Sequence, residues 1–272
     1  MAVGVVLLVV ALAVAAVGVK ALQYRLDRIG IIYEGRVDVP PIATALPGGE
    51  AVNYQTSDGL RLTGWYLADS KATSVALLFH GTGASRATMA PLAKRLAAAH
   101  IAVFLAEYRG AADSPGTPSE KGLARDAEAA LAEAESLTGT KDRNVVVVGH
   151  SLGTAVSVGL ANRHRFKGVV LVAPFTTLVD VTSVGTHRLF AWIASGSDRF
   201  DLVGTIDRIH APLVVLRTDG DQIVPNAESE RVLAAARPPK REVVVTKGYA
   251  HADPRFVGGS EAAAAVVSLA AG

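Results

Sequence analysis

Cysteine is absent from the 272 residues, which removes disulfides, thiolate metal ligands and a cysteine nucleophile together. Aromatic residues make up only 6% and charged residues 19%. The formal net charge is +2, with no basic run and no interleaving of basic and aromatic side chains, so nucleic acid is not an expected partner. No G-x-G-x-x-G opens a helix after a strand, which argues against a dinucleotide site. No His-x-x-x-His or carboxylate cluster stands at ligand spacing, and neither a metal nor another cofactor is expected. Half of the residues are hydrophobic, enough for the core of one sizeable α/β domain.

Residues 2–19 contain only Ala, Val, Leu and Gly. A run of this length is near the lower limit for a membrane-spanning helix. Only Met1 precedes it, whereas Lys20, Arg25, Arg28 and Arg36 follow. The expectation is therefore a transmembrane anchor over 1–19, or an uncleaved signal-like helix. The positive-inside rule then makes this a single-pass membrane protein with its folded domain on the cytoplasmic side, secretion being the alternative. Pro40-Pro41 and Pro47-Gly48-Gly49 place a juxtamembrane linker over 20–50.

From residue 51 onward the pattern is one of short apolar runs alternating with helical periodicity. Two β-rich runs, 51–56 and 60–67, flank an Asp58-Gly59 hairpin signal. Buried strands follow at 75–79, 101–106, 145–148, 168–173, 212–217 and 242–246, with helices at about 86–99, 120–137, 154–163, 225–236 and 260–270. This alternation argues for a mostly parallel sheet with helices on both faces. The domain is read as 51–272, with a less regular, cap-like segment at about 174–210.

The centre of the pattern is Val145-Val146-Val147-Val148-Gly149-His150-Ser151-Leu152-Gly153. Four β-branched residues make a strand buried on both faces, and a helical pattern starts directly after Gly153. A strand that turns into a helix with no loop strains the turning residue and leaves the Ser151 hydroxyl above the sheet's C-terminal edge. The Leu152 N–H then points where an oxyanion would form.

A serine hydroxyl needs a base, and the base needs an orienting acid. Catalytic groups in such sheets gather beyond the C-terminal strand ends. Of seven histidines, His251 follows the last strand in a loop of small residues, and it is the candidate base. For the acid, Asp219 and Asp221 both follow the strand at 212–217. Asp221 is favoured because it lies just before the helix start at Pro225, with Asp180 a distant third. The order Ser151, Asp221, His251 is the one expected for this arrangement. The second oxyanion donor is assigned to Thr82 in His80-Gly81-Thr82-Gly83, directly after a strand.

These motifs, with Tyr108-Arg109-Gly110, Pro118-Ser119-Glu120-Lys121-Gly122-Leu123 and Asp221-Gln222-Ile223-Val224-Pro225, resemble the α/β-hydrolase superfamily. Within it the chain looks like membrane-anchored serine hydrolases of the lysophospholipase, monoacylglycerol lipase and depalmitoylase type. The resemblance runs from about Val52 to the C-terminus. It implies an α/β-hydrolase fold with a mostly parallel eight-stranded sheet, preceded here by the N-terminal apolar helix. It also implies esters or thioesters of fatty acids as substrates, cleaved through an acyl-enzyme on Ser151. Ala111-Ala112 and Arg217 stand where such relatives usually carry a tyrosine-glycine pair and a histidine. A peptidase or acylaminoacyl-type hydrolase on the same fold is the alternative, and a non-catalytic scaffold a third. The apolar residues of 175–209 are read either as an acyl groove or as core faces of helices.

Overall fold

The computed structural model describes residues 10, 12–20, 37–183, 192, 198–237 and 239–272. The described residues form one eight-stranded sheet in the order β1-β2-β4-β3-β5-β6-β7-β8. Its strands are β1 (Glu50–Gln55), β2 (Arg61–Leu67), β3 (Val75–Phe79), β4 (Ala102–Leu105), β5 (Val145–His150), β6 (Gly168–Val172), β7 (Leu213–Thr218) and β8 (Lys240–Val245). Only the pairings of β2 with β1 and β4 are antiparallel; the other five are parallel. Helices α1 (Ile42–Ala45), α2 (Ala90–Ala98), α3 (Glu120–Thr138), α4 (Leu152–Ala161), α5 (Leu178–Ser183), α6 (Asn226–Ala235), α7 (Pro254–Val257) and α8 (Ser260–Ala271) connect and cover it.

The four valines of β5 divide between two cores. Val145 and Val147 face one core, with residues of α3 and α4; Val146 and Val148 face the other, with residues of α2 and α8. The period of two in a strand explains why an unbroken apolar run was needed here: both faces are covered. Helix α3 begins where Ser119 accepts the Gly122 N–H at 3.1 Å and ends at Gly139 in the left-handed region, φ 66°.

The strand order decides where loops meet. The chain leaves β3 toward β4 on one side and continues from β5 on the other. The two strands pair, with Phe79 opposite Gly149. The loop after β3 and the turn after β5 therefore emerge side by side, at the sheet's switch point. Strands β7 and β8 pair as far as Thr218 opposite Val245, which brings together the loops that carry Asp221 and His251.

Two expectations are corrected. Residues 12–20 are helical, and residues 1–9 and 11 lie outside the described set. Nine helical residues rise roughly 14 Å, against a hydrocarbon core of about 30 Å. Among the described residues no helix is long and apolar enough to cross a membrane, so the single-pass membrane localisation and its cytoplasmic orientation are not supported. The expected linker also ends early. Leu46 is fully buried, and Val39, Ile42 and Ala45 pack against the core of α2 and α8.

Candidate active site

Ser151 sits between β5 and α4 at φ 51° and ψ −117°. This is a sparsely populated region for a residue with a Cβ, and holding it there costs about 1–3 kcal/mol. The turn is closed from three sides. Ser151 N–H donates to the Val172 carbonyl at 2.9 Å, and the Ser151 carbonyl accepts from Thr154 N–H at 2.8 Å and Thr154 Oγ1 at 2.6 Å. The flanking glycines are required by close approach. A Cβ on Gly149 would lie 2.2 Å from the Gly153 carbonyl oxygen, and one on Gly153 would lie 2.2 Å from the Phe79 carbonyl oxygen.

His251 Nδ1 donates to Asp221 Oδ2 at 2.7 Å. That bond leaves Nε2 as the nitrogen able to exchange a proton. The carboxylate is held in turn: Asp221 Oδ1 accepts the N–H groups of Ile223 and Val224, each at 2.9 Å. Burial works to raise the Asp221 pKa, but the His251 partner and these two N–H groups outweigh it and hold the carboxyl below its usual range. The other acid candidates are engaged elsewhere. Asp219 accepts the Gly248 N–H at 2.7 Å, tying the β7 loop to the β8 loop. Asp180 accepts from the hydroxyls of Thr176 and Thr177.

His251 reaches the turn through His150. The two rings lie 4.8 Å apart, and His150 Nε2 donates to the His251 carbonyl at 3.0 Å. Burial, then the neighbouring His251, pushes the His150 pKa down to about 3, so a neutral ring stands beside the candidate base, His251. Thr82 and Leu152 wall the same small cavity, of about 20 Å³. Leu152 opens α4, where first-turn N–H groups have no partner within the helix. Thr82 and His251 also wall a larger groove of about 330 Å³ with His150, Ala87, Pro91 and Val257. Among the described residues no group of His, Asp and Glu is arranged to hold a metal.

A sequence-family model described as serine aminopeptidase, S33, matches residues 70–197. An uncharacterized protein of Mycobacterium tuberculosis is 38% identical over 255 residues, covering 91% of this chain and 88% of that one. The chain belongs to the α/β-hydrolase superfamily. Human α/β-hydrolase domain-containing protein 17B is 27% identical over 214 residues, 77% of this chain and 71% of that one. Among solved structures, the Pyrococcus furiosus esterase Pf2001 superposes with a TM-score of 0.72 at 18% identity, covering 88% of this chain and 97% of that one. At that identity the likeness speaks for the fold.

Sequence reasoning passed over one residue that organises the loop after β3, which carries the candidate oxyanion donor Thr82. Glu107, fully buried just past the end of β4, accepts from His80 Nε2 at 2.5 Å, from Arg86 N–H at 3.1 Å and from Arg86 NH1 at 3.0 Å. It thus bolts both ends of the loop from 80 to 86 to one carboxylate. Burial alone would raise the Glu107 pKa, yet His80 and Arg86 together hold it below the usual range. Tyr108 adds a hydroxyl donated to the His80 carbonyl at 3.0 Å. A carboxylate that ends a wholly apolar strand was the available signal, because a charge is rarely buried there without a partner.

The cap-like segment also reads differently in place. Phe175, Leu178, Phe200 and Leu202 belong to the core with α3 and α4 rather than to a groove. Leu189, Phe190 and Ile193 lie outside the described residues. Arg217, at the position where relatives commonly have histidine, pairs with Glu242 at 2.6 Å and Glu230 at 3.2 Å.

Proposed function

We propose that this hydrolase cleaves carboxylic esters, with fatty-acyl esters or thioesters as substrates, through an acyl-enzyme on Ser151. The observation that carries the reading is the 2.7 Å bond between His251 Nδ1 and Asp221 Oδ2, with the His251 ring 4.8 Å from that of His150, the chain neighbour of a serine held at φ 51°. Ser151 Oγ attacks the acyl carbon while His251 Nε2 takes the hydroxyl proton. The carbonyl oxygen, now an anion, receives the Leu152 and Thr82 N–H groups; one such donor is worth about 10²–10³ in rate. Collapse breaks the bond to the leaving oxygen or sulfur, which takes the proton from His251. Water then repeats the sequence and frees the acid. The groove of about 330 Å³ beside His251 supports a ligand of the size that such pockets hold, and its small apolar walls suit an uncharged portion of it. In the same reading the catalytic unit includes Val39, Ile42, Ala45 and Leu46, which pack on its core ahead of residue 51.

Fluorophosphonate labelling of the protein and its Ser151→Ala variant tests the nucleophile, with nitrophenyl esters of increasing chain length as competitors. Labelling lost in the variant, and competition that strengthens with chain length, are the expected results. A folded protein that takes no label would move the chain to the scaffold class. The serine aminopeptidase description of the matched family favours one second reading, a peptidase. Peptide anilides turned over faster than esters would establish it.

A further inference from the structure

The groove at His251 does not end at its apolar walls. It shares Pro91 and Pro254 with an open concavity of about 520 Å³ lined by Lys94, Arg95, Lys247, Arg255, Tyr249 and Glu261. One face of the chain runs through both. Ala87 and Pro91 stand in the groove wall, and Lys94 and Arg95 follow one turn later in α2. From Ala87 to Arg95 the backbone advances roughly 12 Å, and long side chains on a helix lean back toward its N-terminus.

The charge there is unbalanced. Lys247 pairs with Glu261 at 2.7 Å and Arg255 with Asp253 at 2.6 Å. Both cations also lie against the Tyr249 ring, at 6.0 Å and 4.6 Å, which fixes the wall between them. Arg95 spends its Nε on the Gly258 carbonyl at 3.0 Å and has no carboxylate partner among the described residues. Lys94 has none either. Two cations are thus left over, equal to the formal net charge of the whole chain, +2.

Chemistry decides which part of a substrate meets them. The leaving oxygen must take its proton from His251, so the leaving group lies on the side that His251 walls. That side is the groove, and the groove opens onto the basic concavity. We propose that the leaving alcohol carries an anion, a phosphate or carboxylate several atoms from the ester oxygen, which docks among Lys94, Arg95, Lys247 and Arg255. This assignment rests on the ester-hydrolase reading above and narrows its substrate class to esters of anionic alcohols.

Kinetics on a matched pair tests it: octanoylglycerol and octanoylglycerol phosphate, both below their aggregation limits, with the full chain. The expected result is a lower KM for the phosphate, by roughly tenfold, as a charged hydrogen-bonded contact supplies. The preference should shrink with added salt. Lys94→Gln and the double change Lys94→Gln, Arg95→Gln should cut the ratio of the two kcat/KM values, whereas Lys141→Gln, in the loop between α3 and β5, should leave it in place. Equal kcat/KM for the pair, or a ratio that none of the changes moves, overturns the anion site and leaves the esterase reading standing. Turnover of neither ester, with no fluorophosphonate labelling, removes both. A preference present only when the esters sit in anionic vesicles, and absent for the dispersed pair, would overturn the substrate site in favour of a lipid surface.

Discussion

His150, the residue before Ser151, should make this protein lose stability in mild acid by an amount that can be calculated. Its ring is buried, donates Nε2–H to the His251 carbonyl and has its pKa depressed from 6.5 to about 3. In the unfolded chain the same ring binds a proton near its ordinary pKa. As pH falls below 6.5 the unfolded state takes up the proton first, so stability must decline, and the decline continues until the folded ring titrates near 3. For a single site with these two values the loss between pH 6.5 and 4.5 is about 2 kcal/mol. Toward the lower end of that window unfolded glutamates begin to take up protons, so Glu107 starts to contribute there, but that contribution is common to the parent and a His150 variant and cancels between them. Urea unfolding at intervals across the window, on the parent and on His150→Gln, isolates the ring. Glutamine keeps an N–H donor for the His251 carbonyl but has no proton to bind, so its stability should be flatter by that amount. Parallel curves for the two proteins would refute the reasoning. In the mechanism proposed above the same physics bears on catalysis: a protonated His150 would place a cation 4.8 Å from the His251 ring, which in that mechanism becomes an imidazolium as Ser151 is acylated.

Three further substitutions probe the site's construction. Gly153→Ala forces a Cβ to within 2.2 Å of the Phe79 carbonyl and 2.8 Å of the His80 carbonyl, so the elbow must separate from β3. A loss of about 3 kcal/mol or more in thermal unfolding, together with weak fluorophosphonate labelling, is expected; a variant as stable as the parent would contradict the close packing. Asp221→Asn should lower kcat by roughly 10⁴, since an amide no longer holds His251 in the right tautomer. Asp219→Asn should leave kcat within tenfold and act on stability, because its bond is to Gly248; ester kinetics in which the two reverse would move the acid to Asp219. Glu107→Gln removes the charge that pairs with His80 and Arg86. It should cost about 3–5 kcal/mol in urea unfolding and lower kcat more than it changes KM; an unchanged kcat in the folded variant would separate Glu107 from the oxyanion loop.

The sequence carried the strands and helices well where burial forces a pattern. Val75–Phe79 was read to the residue, and α3, expected over 120–137, spans Glu120–Thr138, because Ser119 and Gly139 mark its ends with capping chemistry. The edge strand was harder. Strand β8 starts at Lys240 rather than 242, and its first residues look like a loop by composition. Lys240 is charged because its Nζ donates to the carbonyls of Leu233, Ala234 and Ala236, satisfying the end of α6, a partner no local pattern discloses. Leu46 was lost for the same reason. Prolines and glycines on either side suggested a linker, and only the tertiary fold brings the core of α2 and α8 over it.

Local rules and tertiary partners divide the site in the same way. Ser151 is legible because a strand that turns directly into a helix needs Gly149 and Gly153, a constraint written within five residues. Asp221 is favoured over Asp219 as the acid because it lies at a helix start, where its Oδ1 accepts the N–H groups of Ile223 and Val224. Glu107 obeys no such local rule. Its partners, His80 and Arg86, lie 27 and 21 residues away, and only the parallel pairing of β3 with β4 makes one carboxylate a neighbour of both ends of the loop from 80 to 86. Residues that build a site through the backbone are therefore readable from sequence, whereas those that build it through sheet order become readable only when the order of strands is known.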